Sequence, residues 1–197
     1  MSHEPEPKLF LVRHGETEWS RSGRHTGRTD VPLTDVGRRQ AEAIGERLRD
    51  RHFALVLTSP SSRAAETARL AGFQDAEPTP DLMEWDYGEF EGRTTAEIRE
   101  MLPGWSIWHG PWPAGETPEQ VSERVDRVIA RCLAAEGDSL LFAHGHVLRV
   151  LAARWLGESA RAGAHYALGT ATLSVLGWEH GTRVIEQWND ACHLGTT

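Results

Sequence analysis

An arginine and a histidine follow the first apolar run of the sequence, and together they could bind an anion and attack it. Residues 9–12 are all apolar, and Arg13, His14 and Gly15 come directly after them. Arginine supplies permanently charged donors for an anion, and neutral imidazole is a nucleophile. Glycine lets the backbone turn sharply and come close to a bound group. We therefore interpret His14 as a nucleophile inside an anion site.

Two later apolar runs end in residues of the same types. Residues 54–57 precede Ser59 and Arg63, and residues 140–143 precede His144. Parallel strands present their carboxyl ends at one edge of a sheet, where open α/β sheets bind ligands, so these residues should converge on the first pair. Two arginines and two histidines at one site suit a phosphoryl group. The guanidinium groups bind its oxygens, and their charge keeps the pKa of a nearby histidine low.

Expulsion of an alkoxide from such a phosphoryl group needs a proton, so an acid must face the nucleophile. Glu84 is the best candidate, because Trp85 and Tyr87 flank it and apolar neighbours favour the protonated form of a carboxyl. A metal-assisted route is disfavoured. The His-Gly-His sequence at 144–146 is accompanied by neither a cysteine pair nor a His-Glu-x-x-His helix, and two arginines would repel a cation. We expect neither a metal nor a cofactor.

The bulk composition is that of an ordinary globular domain. The chain has 197 residues, of which 39% are hydrophobic and 25% are charged. Its formal net charge of −8 argues against nucleic acid or an anionic membrane as a partner, so small-molecule phosphate esters are the expected ligands. Cys132 and Cys192 form no disulfide framework, and the acidic first eight residues lack the basic region of a signal peptide. We expect a cytoplasmic protein, and a homodimer stays open.

Strand and helix patterns alternate along the chain and predict an α/β fold, with a single domain, a mostly parallel central sheet and helices on both faces. The expected helices begin near Thr34, Ser59, Thr94, Thr117 and His146. Alternation of apolar and polar residues over 173–188 predicts a terminal hairpin. The expected domain covers residues 8–190, with tails at 1–7 and 191–197.

The segment 105–115 is rich in Trp, Pro and Gly and is interpreted as an ordered loop. It contains Trp105, Trp108 and Trp112. Two interpretations stay open, because large aromatic rings serve both packing and ligand contact. Either the rings only pack the loop, or one of them faces the substrate with a flat apolar surface.

Three short motifs, each after an apolar run, resemble those of the histidine phosphatase superfamily, also called phosphoglycerate-mutase-like. They are Arg13-His14-Gly15-Glu16-Thr17, Ser59…Arg63-Ala64-Ala65-Glu66-Thr67-Ala68 and His144-Gly145. The resemblance runs over residues 9–188 and implies the histidine-phosphatase fold. Two segments are most similar to the small acid-phosphatase and sugar-phosphate-phosphatase branch: Phe142-Ala143-His144-Gly145-His146 and Glu84-Trp85-Asp86-Tyr87-Gly88.

The resemblance implies a role for each matching residue. His14 is the expected phosphorylated nucleophile, and Glu84 is expected to protonate the leaving group and then activate water. Arg13, Arg63 and His144 are expected to complete the phosphate pocket. The expected substrate-binding residues are Ser20, Thr26, Gly27, Tyr87 and Gly145. Ser20 stands where many members have asparagine, which puts one phosphate contact in question.

We expect a metal-independent phosphatase that hydrolyses small organic phosphate monoesters, such as sugar phosphates, through a phosphohistidine. One alternative is a cofactor-dependent phosphoglycerate mutase on the same site, which would need further cations to hold a substrate carboxylate. Residues 100–123 contain neither Arg nor Lys but include Glu116 and Glu119, which favours the hydrolase. A second alternative is a non-catalytic module that binds a phosphate ligand, and the presence of all five site residues disfavours it.

Overall fold

A computed structural model describes residues 6–195 and shows a single α/β domain with one mixed, mostly parallel sheet. The strands are β1 (Leu9–Arg13), β2 (Leu55–Thr58), β3 (Glu77–Pro78), β4 (Ser139–Ala143), β5 (Leu173–Glu179) and β6 (Thr182–Asp190). Their order in the sheet is β3-β2-β4-β1-β5-β6. Strands β1 to β4 run parallel, whereas β5 is antiparallel to both β1 and β6. The predicted fold class is confirmed.

The helices are α1 (Glu18–Ser22), α2 (Asp35–Leu48), α3 (Ser62–Leu70), α4 (Thr95–Met101), α5 (Pro118–Leu133) and α6 (Gly145–Trp155). Short 3₁₀ helices lie at Pro80–Leu82, Gly88–Phe90, Ala160–His165 and Cys192–Leu194. Within residues 6–195, none of the helices has both the length and the apolar character that a membrane crossing needs. Residues 1–5 and 196–197 of the expected tails lie outside the described residues, and the domain limits 8 and 190 stay a prediction.

Helix caps account for most of the predicted helix starts. The side chains of Thr34, Thr94 and Thr117 each accept a hydrogen bond from a backbone N–H in the first turn of α2, α4 and α5. The expected cap at Ser59 is wrong, because α3 begins at Ser62 with Ser61 in the N-cap position. The Ser59 hydroxyl is bonded elsewhere, to the ring of His144. The short elements α1 and β3 have no counterpart in the sequence-based expectation.

The central strand β1 is buried on both faces, as its unbroken apolar sequence predicts. Leu9 and Leu11 belong to the core shared with α5 and α6, and Phe10 and Val12 belong to the core shared with α2 and α3. Burial of each such side chain contributes roughly 1.5–3 kcal/mol to stability. The strand that carries the catalytic candidates is therefore held from two sides.

The register of the sheet brings the three motif-bearing strand ends together. Arg13 at the end of β1 lies opposite Ala143 of β4, and Thr58 at the end of β2 lies opposite Phe142 of β4. The ladder continues one residue further, since the His14 N–H donates to the Ala143 carbonyl at 2.9 Å. The three strands thus end at one edge, and the polar residues that follow them meet there.

Candidate active site

A cavity of about 270 Å³, called the mouth cavity below, opens beside the ends of β1 and β4. Seven of the ten predicted site residues line it: Arg13, His14, Ser20, Thr26, Glu84, Tyr87 and Gly145. Arg63, His144 and Gly27 do not line it, although they contact residues that do. Further lining residues that the sequence analysis did not assign are Gly23, Arg24, His25, Thr95, His146, Arg149 and Leu168.

The hydrogen bond at one ring nitrogen of His14 determines its neutral tautomer. Its Nδ1 lies 2.7 Å from the carbonyl oxygen of Gly15, which can only accept, so Nδ1 carries the hydrogen. The lone pair is then on Nε2, the atom that can attack phosphorus. Burial lowers the pKa of His14 well below its ordinary value, and the charges of Arg13 and Arg63 lower it further. Burial and the neighbouring arginines thus favour the neutral form of the His14 imidazole, whose lone pair is on Nε2.

The turn after His14 is fixed by the close approach of helix α2. A Cβ atom on Gly15 would lie 2.3 Å from the carbonyl oxygen of Gly37, and one on Gly37 would lie 2.1 Å from that of Glu16. Both glycines are therefore required by space. The Gly15 N–H also donates to the Thr67 hydroxyl at 3.1 Å, which ties the turn to α3.

Arg63 is fully buried and bonded to backbone carbonyls. Its Nη2 donates to the carbonyls of Thr26 and Gly27, each at 3.0 Å, and its Nη1 donates to that of Thr29, also at 3.0 Å. Its Nε donates to Nδ1 of His144 at 3.2 Å. Gly27, predicted to bind substrate, does not line the mouth cavity. Its carbonyl instead accepts a hydrogen bond from Arg63.

His144 is a neutral ring between Arg63 and Ser59. Because its Nδ1 accepts from Arg63, its Nε2 carries the hydrogen and donates to the Ser59 hydroxyl at 2.8 Å. Burial, followed by the charge of Arg63, lowers the pKa of His144 well below its ordinary value. Its ring lies edge-on to that of His14, with 5.1 Å between centroids. It therefore packs against the nucleophile without adding a charge.

Arg13 keeps one buried donor without a partner. Its Nη1 donates to the Leu168 carbonyl at 2.6 Å, whereas its Nε is buried and makes no hydrogen bond among residues 6–195. A Cβ on Gly145 would lie 3.5 Å from this guanidinium group. Arg13 itself lines the mouth cavity, so its guanidinium group offers positive charge to an anion bound there.

Glu84 lies at the start of α6 and is held there by backbone donors. Its carboxylate accepts from the N–H groups of Trp85 and Val147, each at 2.9 Å, and of His146 at 3.0 Å. These bonds and the helix N-terminus stabilise the negative charge. The surroundings differ from the expected apolar ones, because these three backbone N–H groups contact the carboxylate directly.

A buried ion pair fixes the segment that carries Glu84, residues 81–87, which we call the acid loop. Arg124 of α5 makes two bonds to the Glu116 carboxylate, at 2.9 and 3.0 Å. Its Nη1 also donates to the carbonyls of Asp81, at 2.9 Å, and Met83, at 2.6 Å. Glu116 in turn accepts from the Asp86 N–H at 2.9 Å. The charge of Glu116 is therefore balanced by Arg124. It no longer counts as evidence for a hydrolase over a mutase.

Two predicted binding residues have their hydroxyl groups engaged within the protein. The Ser20 hydroxyl accepts from the Thr17 N–H at 2.9 Å and donates to the Thr17 carbonyl at 3.0 Å, as part of the cap of α1. Burial raises the pKa of Tyr87 well above its ordinary value, and its hydroxyl forms a hydrogen bond of 2.6 Å with Nδ1 of His146. Tyr87 lines the wall of the mouth cavity and holds the His146 ring in place.

The tryptophans of the 105–115 segment face the protein interior. None of the three lines the mouth cavity, and Trp108 is only 7% exposed. Trp108 lies under Arg149, whose guanidinium carbon is 4.6 Å from its ring centroid, and its ring centroid is 5.3 Å from that of His146. Of the two open interpretations, the structure favours packing.

Comparison with known proteins identifies the family of this chain. Residues 9–191 match the model of the "Histidine phosphatase superfamily (branch 1)". An acid phosphatase of Mycobacterium tuberculosis is 44% identical over 180 residues, which cover 89% of each chain. A sedoheptulose 1,7-bisphosphatase of Saccharomyces cerevisiae is 38% identical over 184 residues, covering 77% of this chain and 68% of the relative. A probable phosphoglycerate mutase of Salmonella typhi is 32% identical over 205 residues, covering 96% and 95%.

A solved structure shows the same fold. It is that of an open reading frame of Mycobacterium tuberculosis, which is 42% identical and superposes with a TM-score of 0.90. The match covers 93% of this chain and 97% of that one.

Proposed function

This chain belongs to the histidine phosphatase superfamily, and we propose that it hydrolyses small organic phosphate monoesters, sugar phosphates among them, through a phosphohistidine. The observation that carries the proposal is the bond between Nδ1 of His14 and the Gly15 carbonyl, which leaves Nε2 unprotonated beside buried arginines. The names of the relatives support a phosphatase, since two of them are an acid phosphatase and a sugar bisphosphatase.

In the first half-reaction, Nε2 of His14 forms a bond to phosphorus while the bond to the ester oxygen breaks. Glu84, entering as the carboxylic acid, gives its proton to that oxygen. The three N–H groups that hold Glu84 stabilise the carboxylate left behind. Arg13, which lines the mouth cavity, binds the non-bridging oxygens through its guanidinium group, and Arg63 supports them with its charge.

In the second half-reaction, the Glu84 carboxylate takes a proton from water as the water oxygen attacks phosphorus. The bond between phosphorus and Nε2 breaks, and inorganic phosphate leaves. His14 and Glu84 return to their starting states, so each proton is accounted for. Both half-reactions use only side chains of this chain.

The intermediate gives the sharpest test. Enzyme quenched during turnover of a ³²P-labelled ester should carry label that is lost in acid and kept in alkali, because a phosphoimidazole is acid-labile. His14→Ala should carry none, while His52→Ala, an exposed histidine, should label like the wild type. Label that is stable in acid, or labelling of His14→Ala, would contradict the proposal.

A second candidate function, phosphoglycerate mutase, gains one argument from the structure. The absence of Arg and Lys from residues 100–123 does not leave the mouth without further cations, because Arg24 and Arg149 line it from other segments. We still expect hydrolysis, since Glu84 lines the same cavity as His14 and a carboxylate there can take a proton from water. Release of phosphate from 3-phosphoglycerate should exceed formation of the 2-isomer, and the opposite ratio would favour the mutase. No turnover of any ester would favour the non-catalytic binding module.

A further inference from the structure

Residues 26–29, which we call the carbonyl loop because their carbonyls bind Arg63, are held from the other side by a carboxylate. Both carboxylate oxygens of Glu91, the residue after the short helix Gly88–Phe90, accept from the Gly27 N–H, at 2.9 and 3.0 Å. One of them also accepts from the Thr29 N–H at 3.0 Å. Glu91 therefore binds the N–H groups of the loop, and Arg63 binds its C=O groups.

One peptide group connects the two charged side chains directly. The peptide between Thr26 and Gly27 donates its N–H to Glu91, and its C=O accepts from Nη2 of Arg63 at 3.0 Å. The N–H and C=O of a trans peptide point in opposite directions, so the two bonds together fix its plane. Each bond also polarises the peptide and strengthens the other. Glu91 thus aims a carbonyl at the guanidinium group without touching it.

The fold places Glu91 closely against the carbonyl loop. A Cβ atom on Gly27 would lie 2.7 Å from a carboxylate oxygen of Glu91, so only glycine fits there. The backbone beside Glu91 is tied to the same part of the chain. The Gly92 N–H donates to the His25 carbonyl, and the His25 N–H donates to the Arg93 carbonyl, each at 2.9 Å. This carboxylate is therefore fixed in place, unlike one on a free surface side chain.

The position of Arg63 depends on the carbonyl loop. All four hydrogen bonds that Arg63 makes within residues 6–195 go to neutral acceptors, and three of these are carbonyls of the loop. Rotation of the loop peptides would withdraw those carbonyls and let the guanidinium group shift. Stabilisation of a reacting group by a nearby charge requires that the charge be held in position beforehand.

We propose that Glu91 is a positioning residue for Arg63, acting through the peptide groups of the carbonyl loop. This inference rests on the proposed phosphatase function and adds to its site a residue that does not line the mouth cavity. Arg63 serves the non-bridging oxygens, which all phosphate esters share, so loss of Glu91 weakens every ester equally. The sign of the effect is informative, because the Glu91 charge by itself repels an anion. Without a positioning role, removal of that charge would tighten anion binding.

The test is Glu91→Gln, which keeps the size of the side chain and one acceptor oxygen but removes the charge. Titration calorimetry with orthovanadate, which mimics the five-coordinate phosphoryl group, should give a Kd about tenfold higher than that of the wild type, as for a weakened charge-assisted bond. The value of kcat/KM should fall by a similar factor for aryl and alkyl phosphates alike. Glu89→Gln, an exposed residue two positions earlier, should change neither quantity.

A double-mutant cycle shows whether the effect passes through Arg63. In an Arg63→Met background, Glu91→Gln should cause no further loss of kcat/KM for an aryl phosphate, since the group that Glu91 positions is gone. The full tenfold loss in that background would contradict the proposal. Should Arg63→Met fail to fold, Arg63→Lys replaces it. Lysine lacks the planar fork that binds the carbonyls, so the further loss should then be about threefold or less.

The outcomes separate this inference from the proposed function. No turnover of any ester by the wild type would contradict the phosphatase, whereas the vanadate Kd would still test Glu91. An unchanged or lower Kd in Glu91→Gln would contradict the positioning role, and so would a loss of kcat/KM confined to alkyl phosphates, which is the pattern expected for a displaced Glu84. Should Glu91→Gln fail to fold, Glu91→Asp, shorter by one methylene, should raise the Kd in the same way by a smaller factor.

Discussion

The mouth cavity has two sides: the nucleophile side, with the proposed nucleophile His14 and Arg13, and the acid side, with the proposed acid Glu84. The two sides are held in place by different means. His14 and Arg13 continue a central strand, whose pairing with β4 and two buried faces fix their backbone. Glu84 lies in an irregular loop, and the loop is held by Arg124 and Glu116, which lie 30 to 40 positions further along the chain.

This difference bears on how each side responds to change. The backbone at the end of β1 is held by its ladder with β4, so substitution there removes a group and leaves the rest in place. The acid loop has no ladder of its own, so a change at a distant residue can shift Glu84 by a fraction of an ångström. Small displacements of a catalytic group already cost rate. We therefore expect substitutions on the nucleophile side to lower kcat abruptly, and substitutions on the acid side to lower kcat by graded amounts.

The largest effect should follow removal of the nucleophile. His14→Ala should lower kcat about 10⁴-fold or more, by the same factor for aryl and alkyl phosphates, because no ester can form the covalent intermediate. Steady-state kinetics with both ester types checks this. A residual rate that depends on the leaving group would show that another group attacks phosphorus, and the contrast between the two sides would fail.

Removal of the acid should give a selective loss. Glu84→Gln keeps the size of the side chain but cannot give up a proton, so alkyl phosphates should lose about 100-fold or more in kcat. Aryl phosphates, whose leaving groups depart without protonation, should lose much less. A plot of rate against leaving-group acidity measures the difference. Equal losses for both ester classes would remove Glu84 from the acid role.

A weaker form of the same selectivity should follow from loosening the acid loop. Glu116→Gln removes one charge of the pair with Arg124 but retains an amide oxygen for the Asp86 N–H. We expect roughly a tenfold lower kcat for alkyl phosphates and less for aryl ones, because Glu84 is displaced.

The control for this variant is Arg131→Met on α5, which breaks an exposed ion pair with Glu77 of β3 and should change neither rate. A loss of thermal stability in Glu116→Gln without any leaving-group dependence would reduce the Arg124–Glu116 pair to a purely structural role.

The smallest effect concerns stability against acid and involves both sides. The pKa values of His14, His144, His25 and His146 are all lowered by burial. The unfolded chain therefore binds more protons below about pH 6.5, and the free energy of unfolding should fall as the pH falls. For His25, whose pKa is about 4, the loss should extend from about pH 6.5 to about pH 4.

Melting temperatures between pH 7 and pH 4.5 check this expectation. His25→Phe, which keeps an aromatic ring beside Tyr87, should show a smaller fall than the wild type. The exposed variant His52→Ala serves as the control and should follow the wild type. An equal fall in His25→Phe would exclude His25 as a source of the acid sensitivity.

The sequence predicted that Arg13 and His14 lie together at a strand end, because the signals for this placement are local. An apolar run, a polar end and a glycine appear in consecutive residues, and the caps at Thr34 and Thr117 are recognisable within four positions. The prediction of a helix cap at Ser59 was wrong, because a serine before a proline is typical of a helix cap. The His144 ring that binds its hydroxyl lies 85 positions away in the sequence. No local pattern carries that information.

Arg24 and Arg149 escaped prediction for a related reason. A single arginine in a loop or on a helix is by default a solvated residue. Only the fold shows that Arg149 covers Trp108 and that both arginines reach one cavity. The spacing of His146 and Arg149, three positions apart on a helix that begins at the site, is the one signal that could have suggested it.

The bonding of Arg63 has a consequence for the entropy of ligand binding. An arginine side chain loses about 1.5–2 kcal/mol of conformational freedom when it is immobilised. Arg63 is already immobilised, since three backbone carbonyls and His144 accept from it in the fully buried state. The Arg63 side chain therefore loses its conformational entropy when the chain folds. Binding of a phosphoryl group then costs no further side-chain entropy at Arg63.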